Sequence, residues 1–172
     1  YVPKKALYGA QTQRAIDNFP ISGIMMDFPF TKSFINSLGL IKDAAARANN
    51  KLKLLSNKKA RVISKASKEV WQEKHHKEFP IDVFQTGSGT SSNMNANEVI
   101  ANLASQFSGE QISPNDDVNM SQSSNDVIPT AIKISAHIDL SKKLYPTLEN
   151  LINSIDKKAA SVQGVIKTGR TH

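Results

Sequence analysis

Two stretches of this chain are crowded with neutral hydrogen-bonding side chains. "QTGSGTSSNMNANEV", Gln85 to Val99, holds hydroxyls, side-chain amides and two glycines, and its single charge is Glu98. "SPNDDVNMSQSSNDV", Ser113 to Val127, repeats the theme with Ser123, Ser124 and Asn125 in a row. Donors without charge suit the recognition of a small anion. Gly87 and Gly89 let the backbone come close to a ligand, while Ser88 and Thr90 add hydroxyls. A helix starting at Thr90 would bring free N–H groups and the positive end of its dipole to the same spot. Taken alone, a Gly-Ser turn with an N-cap explains the first cluster, and Ser124 as an N-cap explains one residue of the second. Two such clusters at two helix starts favour a dicarboxylate site more than either does by itself. "GSGT" is not a P-loop, because no Gly-Lys-Ser/Thr follows at the required spacing.

A third polar cluster, "GRTH", carries His172 in a glycine-flanked turn. Imidazole is the side chain best suited to proton transfer near neutral pH. His75 and His76 lie among lysines on what reads as a solvent-facing helix, and His137 falls within a long helix as a packing or surface residue. No spacing of His and carboxylates suggests a metal site, the absence of cysteine rules out a thiolate one, and no Ser-His-Asp order is present.

These residues need elements to position them. Pro3, Pro20 and Pro29 with Gly9 and Gly23 make the first thirty residues an extended arm. Phe34, Leu38, Ile41, Ala45 and Ala48 recur at helical spacing, with Thr31 as N-cap. A second helix follows Asn57, with Val62, Ala66, Val70 and Trp71 inward and Pro80 beyond it. A third runs from Thr90 through Val99, Ile100, Leu103 and Phe107 to Gly109. From Ser124 the apolar stripe Ile128, Ile132, Ile138, Leu144, Leu148, Leu151, Ile155, Ala159 and Val162 predicts a long helix. Pro129 is placed in its first turn, and Pro146 inside it should kink it or remove a hydrogen bond. Such a stripe cannot be buried by its own helix and calls for partner helices.

The 172 residues, 39% hydrophobic and 22% charged, can build a core and exclude global disorder. No apolar run is long enough to span a bilayer. The net charge of +7 raises nucleic acid as a partner, but the lysines are spread over helical faces and broken by Glu69, Glu73 and Glu78. A solvated face is the better reading, and a positive field would also draw in an anionic metabolite. With no initiator Met and an end in mid-pattern, the chain reads as a fragment.

"ALYGAQTQRAIDNFPISG", "QTGSGTSSNMNANEVIANLAS", "PNDDVN", "SQSSNDVIPTAI" and "KTGRTH", in this order, resemble the class II fumarase branch of the fumarase/aspartase superfamily, from end to end of the chain. The resemblance implies a mainly α protein: an N-terminal lyase domain over residues 1–122, then the beginning of a long-helix central bundle over 123–172. It implies reversible, metal-free hydration of fumarate to L-malate in the full-length protein, with no cofactor. "QTGSGT" and "SQSSND" look like fumarase rather than aspartase, which leaves aspartate ammonia-lyase as the alternative within the superfamily. A catalytically incomplete helical scaffold is the alternative outside it. By the resemblance Ser88, Gly89, Thr90, Ser123, Ser124, Asn125 and Thr171 bind substrate, and His172 is the proton donor/acceptor. The family's serine loop and Lys-x-Asn segment would lie beyond residue 172. A peripheral dicarboxylate site would fall at Ser113, Pro114, Asn115 and Asp116, with Ser113 where the family has a histidine. The resemblance further implies a homotetramer, with each site built from three subunits, in the cytoplasm or the mitochondrial matrix and without membrane or nucleic-acid partners.

Overall fold

The structure, a computed structural model, describes residues 1–25 and 32–170. Thr31, expected to cap a helix, and Thr171 and His172 lie outside the described residues. The chain forms two compact units, Tyr1–Ala136 and His137–His172. Among the described residues the architecture is helical, as expected, and the nearest approach to a sheet is an isolated antiparallel bridge between Met25 and Asp82.

In the first unit α1 (Ala10–Asn18), α2 (Lys32–Lys51), α3 (Asn57–Trp71) and α4 (Thr90–Ser108) pack in succession, α2 on α3, α3 on α4, and α1 on α4. Ser56 starts α3 by accepting from the Lys59 N–H, and α4 ends where the Gly109 N–H donates to the Ser105 carbonyl. Ile35, Leu38, Ile63, Val70, Val99 and Ile100 are fully buried at the centre; each contributes roughly 1.5–3 kcal/mol by leaving water. The closest crossing is at Gly39, where a Cβ would stand 2.9 Å from the Ser67 carbonyl oxygen and the Trp71 nitrogen. Only hydrogen fits between α2 and α3 there.

The buried line of α2 differs from the expected one. It runs through Ile35, Leu38, Lys42, Ala46 and Asn49, while Phe34, Ile41 and Ala45 are half-buried and Ala48 is exposed. Apolar periodicity found the helix but passed over a line that carries a lysine and an asparagine. Ile41, Ala45 and Ala48 face an open groove of about 540 Å3, shared with Val127, Thr130 and Ile134.

Two buried carboxylates fasten the N-terminal arm. Glu98, in α4, accepts from the N–H groups of Gly9, Gln11 and Thr12 and from the Thr12 hydroxyl, so it caps the start of α1 from outside. Asp82 accepts from the N–H and hydroxyl of Ser22 and from the Gly23 N–H. The lone charge in the first polar stretch is thus structural.

α5 (Ser124–Asp139) starts in the first unit. Pro129 is its sixth residue, a turn later than expected, so the Asn125 carbonyl has no N–H to receive at that position. In the second unit the end of α5, a π-helical turn at Leu140–Leu144 and α6 (Tyr145–Ser161) follow one another. Pro146 falls in the first turn of α6, where its missing N–H costs little, and the wide turn just before it absorbs the change. Leu144, Leu148, Leu151 and Ile155 remain 43–57% exposed.

Candidate functional site

The two polar clusters meet in the first unit. Ser88 and Gly89 both adopt left-handed backbone, at φ 52° and 73°, and turn the chain into α4. The positive φ costs a serine roughly 1 kcal/mol, strain held where a ligand would approach. Gly89 lies directly on α5: a Cβ there would stand 3.0–3.1 Å from Cδ1, Cγ1 and Cγ2 of Ile128. This contact sets the starts of α4 and α5 side by side, with Thr90 Oγ1 and Ser124 Oγ 3.3 Å apart. Ser88, Thr90, Ser123 and Asn125 are exposed along this edge and Ser124 is half-buried.

Capping is distributed differently from the expectation. Gly89 occupies the cap position of α4, and the Gln85 side chain accepts from the Ser92 N–H at 2.8 Å and the Ser92 hydroxyl at 2.9 Å. On α5 it is Ser123, not Ser124, that accepts from the Asn125 N–H through Oγ, at 3.2 Å. Its carbonyl also receives the N–H groups of Asp126 and Val127. Ser124 and Thr90 are therefore released from capping, and their hydroxyls face one another. The supply of free amides is smaller than two helix starts suggest. Thr90 N–H donates to the Gly87 carbonyl and Asn93 N–H to that of Gly89, while no described acceptor reaches the amides of Ser91 and Ser124. Hydroxyls, the Asn125 side-chain amide, and the N–H groups of Ser88, Gly89 and Ser123 beside those two are what the edge can offer an anion.

Behind it lies a buried polar network that the sequence did not disclose. Lys42, with no exposed surface, donates through Nζ to Asn119 Oδ1 (3.0 Å) and Gln122 Oε1 (2.8 Å). Asn93, in the first turn of α4, donates to the same Asn119 oxygen at 3.2 Å. Burial holds the Lys42 ammonium down to about 7 from an ordinary 10.5, since no carboxylate among the described residues pairs with it.

At the second expected anion site, Ser113 caps its own π-helical turn, Pro114–Val118. Its hydroxyl donates to Asp116 Oδ2 at 2.8 Å and accepts from the Asp116 N–H, and Asn115 lies in the same turn. Asp117 pairs with Lys59 at 2.7 Å, and Lys58 pairs with Glu110. The hydroxyl and both neighbouring ammonium groups are already engaged, and Asp116 adds negative charge. Of the remaining histidines, His76 is buried in a 3-10 turn with Nε2 2.9 Å from Asn36 Oδ1, and His75 Nε2 is 2.8 Å from Glu69. They are structural, not solvent-facing as expected, whereas His137 is a surface residue.

A family model described as lyase matches residues 1–172. The chain belongs to the lyase family. It is 53% identical, over 99% of its length, to the class II fumarate hydratase of Halobacterium salinarum, covering 37% of that protein. Against that of Xylella fastidiosa strain 9a5c the values are 54%, 99% and 35%. Among solved structures, a class II fumarase from Schistosoma mansoni superposes with a TM-score of 0.93 at 42% identity, over 99% of this chain and 36% of that one. A fumarate lyase:delta crystallin from Brucella melitensis gives 0.93 at 40%, over 99% and 39%. The resemblance carried by the five stretches is borne out, for the lyase family and for the helical fold. The chain spans little more than a third of the length of the curated relatives it matches.

Proposed function

We propose that the full-length protein is a fumarate hydratase, which adds water reversibly to fumarate to give L-malate. The observation that carries this reading is the meeting of Thr90 and Ser124 hydroxyls, 3.3 Å apart, at the adjoining starts of α4 and α5. It is supported by identity above 50% to class II fumarate hydratases along the whole chain. A dianion that gains further negative charge in the reaction needs donors fixed in advance, and neutral donors avoid holding the product too tightly. In the dehydration direction the C3 proton of malate is removed and its electron pair spreads into the adjacent carboxylate. The C2 hydroxyl then departs with a proton as water. Ser88, Gly89, Thr90, Ser123, Ser124, Asn125 and Thr171 hold the carboxylates in this scheme, and His172 handles the proton of the reacting water. The edge is open to solvent in this chain, which fits a homotetramer whose neighbouring subunits complete each site. Residues 123–172 then begin the central bundle, and the half-exposed leucines of α6 are the face other helices would cover. Asp116 and the engaged Ser113 argue against a second dicarboxylate site at Ser113–Asp116. Among the described residues no helix is long and apolar enough to cross a membrane, in keeping with a place in the cytoplasm or mitochondrial matrix.

The test follows the ultraviolet absorbance of fumarate with purified full-length protein, beside an ammonia assay on L-aspartate. Malate formation without ammonia is expected. Ammonia release without malate would replace the reading with that of an aspartate ammonia-lyase.

A further inference from the structure

Lys42 has no role in the scheme above, and its position is costly. An ammonium group taken fully out of water without a carboxylate partner is normally replaced by an apolar side chain. What Lys42 obtains in return is control of one turn. Its two acceptors, Asn119 Oδ1 and Gln122 Oε1, bracket Met120–Ser121, and Ser121 is held at a left-handed φ of 59°. With both amide oxygens drawn to Nζ, both amide NH2 groups must point the other way. Asn119 Nδ2 then donates to the Gln122 carbonyl, and Gln122 Nε2 donates to the carbonyls of Val118 and Met120. A side chain without donors would leave Gln122 Oε1 without its partner and Asn119 Oδ1 with Asn93 alone, so the turn would be held less firmly in this arrangement.

The turn leads straight into the candidate site, since Ser123 follows Gln122. The other side of the site is tied to the same atom: Asn119 Oδ1 also receives Asn93 Nδ2, and the Asn93 N–H donates to the Gly89 carbonyl. One oxygen thus takes hydrogen bonds from α2 and from the first turn of α4 while belonging to the turn that launches α5.

We propose that Lys42 is a positioning residue for the dicarboxylate site, orienting the Asn119 and Gln122 amides so that Ser123, Ser124 and Asn125 are presented beside Thr90. This rests on the reading of that edge as the fumarate site. Lys42 touches no substrate in this scheme; it acts through the turn.

The experiment uses the full-length protein with two variants. Lys42→Met keeps the length and removes the donors, whereas Gln122→Leu, at a half-buried position, removes one acceptor together with its two bonds to the turn carbonyls. Circular dichroism and light scattering report fold and assembly, steady-state kinetics give kcat and KM for fumarate, and calorimetry measures binding of succinate, a dicarboxylate that cannot be hydrated. Each folded variant should lose roughly tenfold to a hundredfold in kcat/KM, the scale of a misplacement near 1 Å, with a matching weakening of succinate. Ser124→Ala should cost much less in the Lys42→Met background than in the wild type, because the serine is already out of place. A purely structural lysine would leave the cost of Ser124→Ala the same in both. Gln122→Leu that is folded, with wild-type KM and succinate affinity, overturns the proposal even if Lys42→Met does not fold. A wild-type protein that neither hydrates fumarate nor binds succinate defeats the fumarate reading and this proposal with it. Active wild type with unaffected variants defeats the proposal alone.

Discussion

Gly89→Ala is the substitution whose cost the geometry specifies most closely. Two terms contribute. The first is backbone: at φ 73° an alanine sits in the left-handed region, at roughly 1–2 kcal/mol. The second is steric. The new methyl would meet Ile128 Cδ1 at 3.0 Å and Cγ1 and Cγ2 at 3.1 Å, whereas carbon atoms rest at about 3.5–4.0 Å. Ile128 is buried in the second turn of α5, so its side chain or the start of α5 must give by a few tenths of an ångström; overpacking of this kind costs roughly 1–3 kcal/mol. Together these lower stability by roughly 2–5 kcal/mol and open the gap between Thr90 and Ser124. Ile128→Ala removes all three clashing atoms but leaves a cavity, at about 2–5 kcal/mol by itself. In the double variant the steric term vanishes and the backbone term stays. The pair should therefore be less destabilising than the sum of the singles by roughly 1–3 kcal/mol. Urea denaturation of the four proteins, followed by circular dichroism, closes the cycle, and fumarate kinetics should fall for Gly89→Ala. Additivity within about 0.5 kcal/mol, or an unchanged KM in Gly89→Ala, would refute the claim that this contact sets the two helix starts against each other.

His172→Asn in the full-length protein should lower kcat by roughly two powers of ten or more while KM changes less, measured by steady-state fumarate hydration. Lys42, held at about 7 in the fold against 10.5 unfolded, leaves the unfolded chain binding more protons between those values, so stability rises with pH across that window. The full effect is on the order of 5 kcal/mol; urea midpoints at pH 7 and pH 9 should differ in the wild type and converge in Lys42→Met. Glu98→Ala takes the acceptor from three N–H groups and a hydroxyl at the start of α1, at roughly 2–4 kcal/mol, and limited proteolysis should then cut first within residues 1–18.

Helix boundaries marked by local chemistry were legible in the sequence. Thr90, Gly109 and Ser124 are where α4 begins, α4 is closed and α5 begins, because caps and glycines act within a few residues of themselves. The sequence favoured a dicarboxylate site from two polar clusters at two helix starts, and the structure sets those two starts side by side. The assignment of caps was not legible. Whether Ser123 accepts from the Asn125 N–H or Ser124 from an N–H two or three residues further on depends on which serine takes the cap conformation, and either residue type permits it. Lys42 was beyond reach for a different reason: its partners are 77 and 80 residues away, and periodicity assigns lysine to the outer face. The one hint was negative, an interruption by Lys42 and Asn49 of what would otherwise be a regular apolar line in α2. His76 misled through its neighbours, lysine-rich surroundings hiding a ring buried against Asn36.

Four places where this chain departs from what stability alone would choose stand around the starts of α4 and α5. A serine at Ser88 and another at Ser121 take up backbone that glycine would adopt freely. An ammonium lies where leucine or methionine would pack without loss. Asn93 keeps its side-chain oxygen buried without a partner even as its nitrogen reaches Asn119. Each departure costs on the order of 1 kcal/mol or more, and these four belong to the frame that sets the α4 start beside the α5 start. Others lie elsewhere: Lys53 and Glu73 also take positive φ, and Asn97 in α4 keeps both side-chain polar atoms buried without a partner among the described residues, whereas Glu98 and Asp82 are well supplied with donors. Those that stand behind Thr90 and Ser124 fit a site whose donors must stay fixed before a charged ligand arrives.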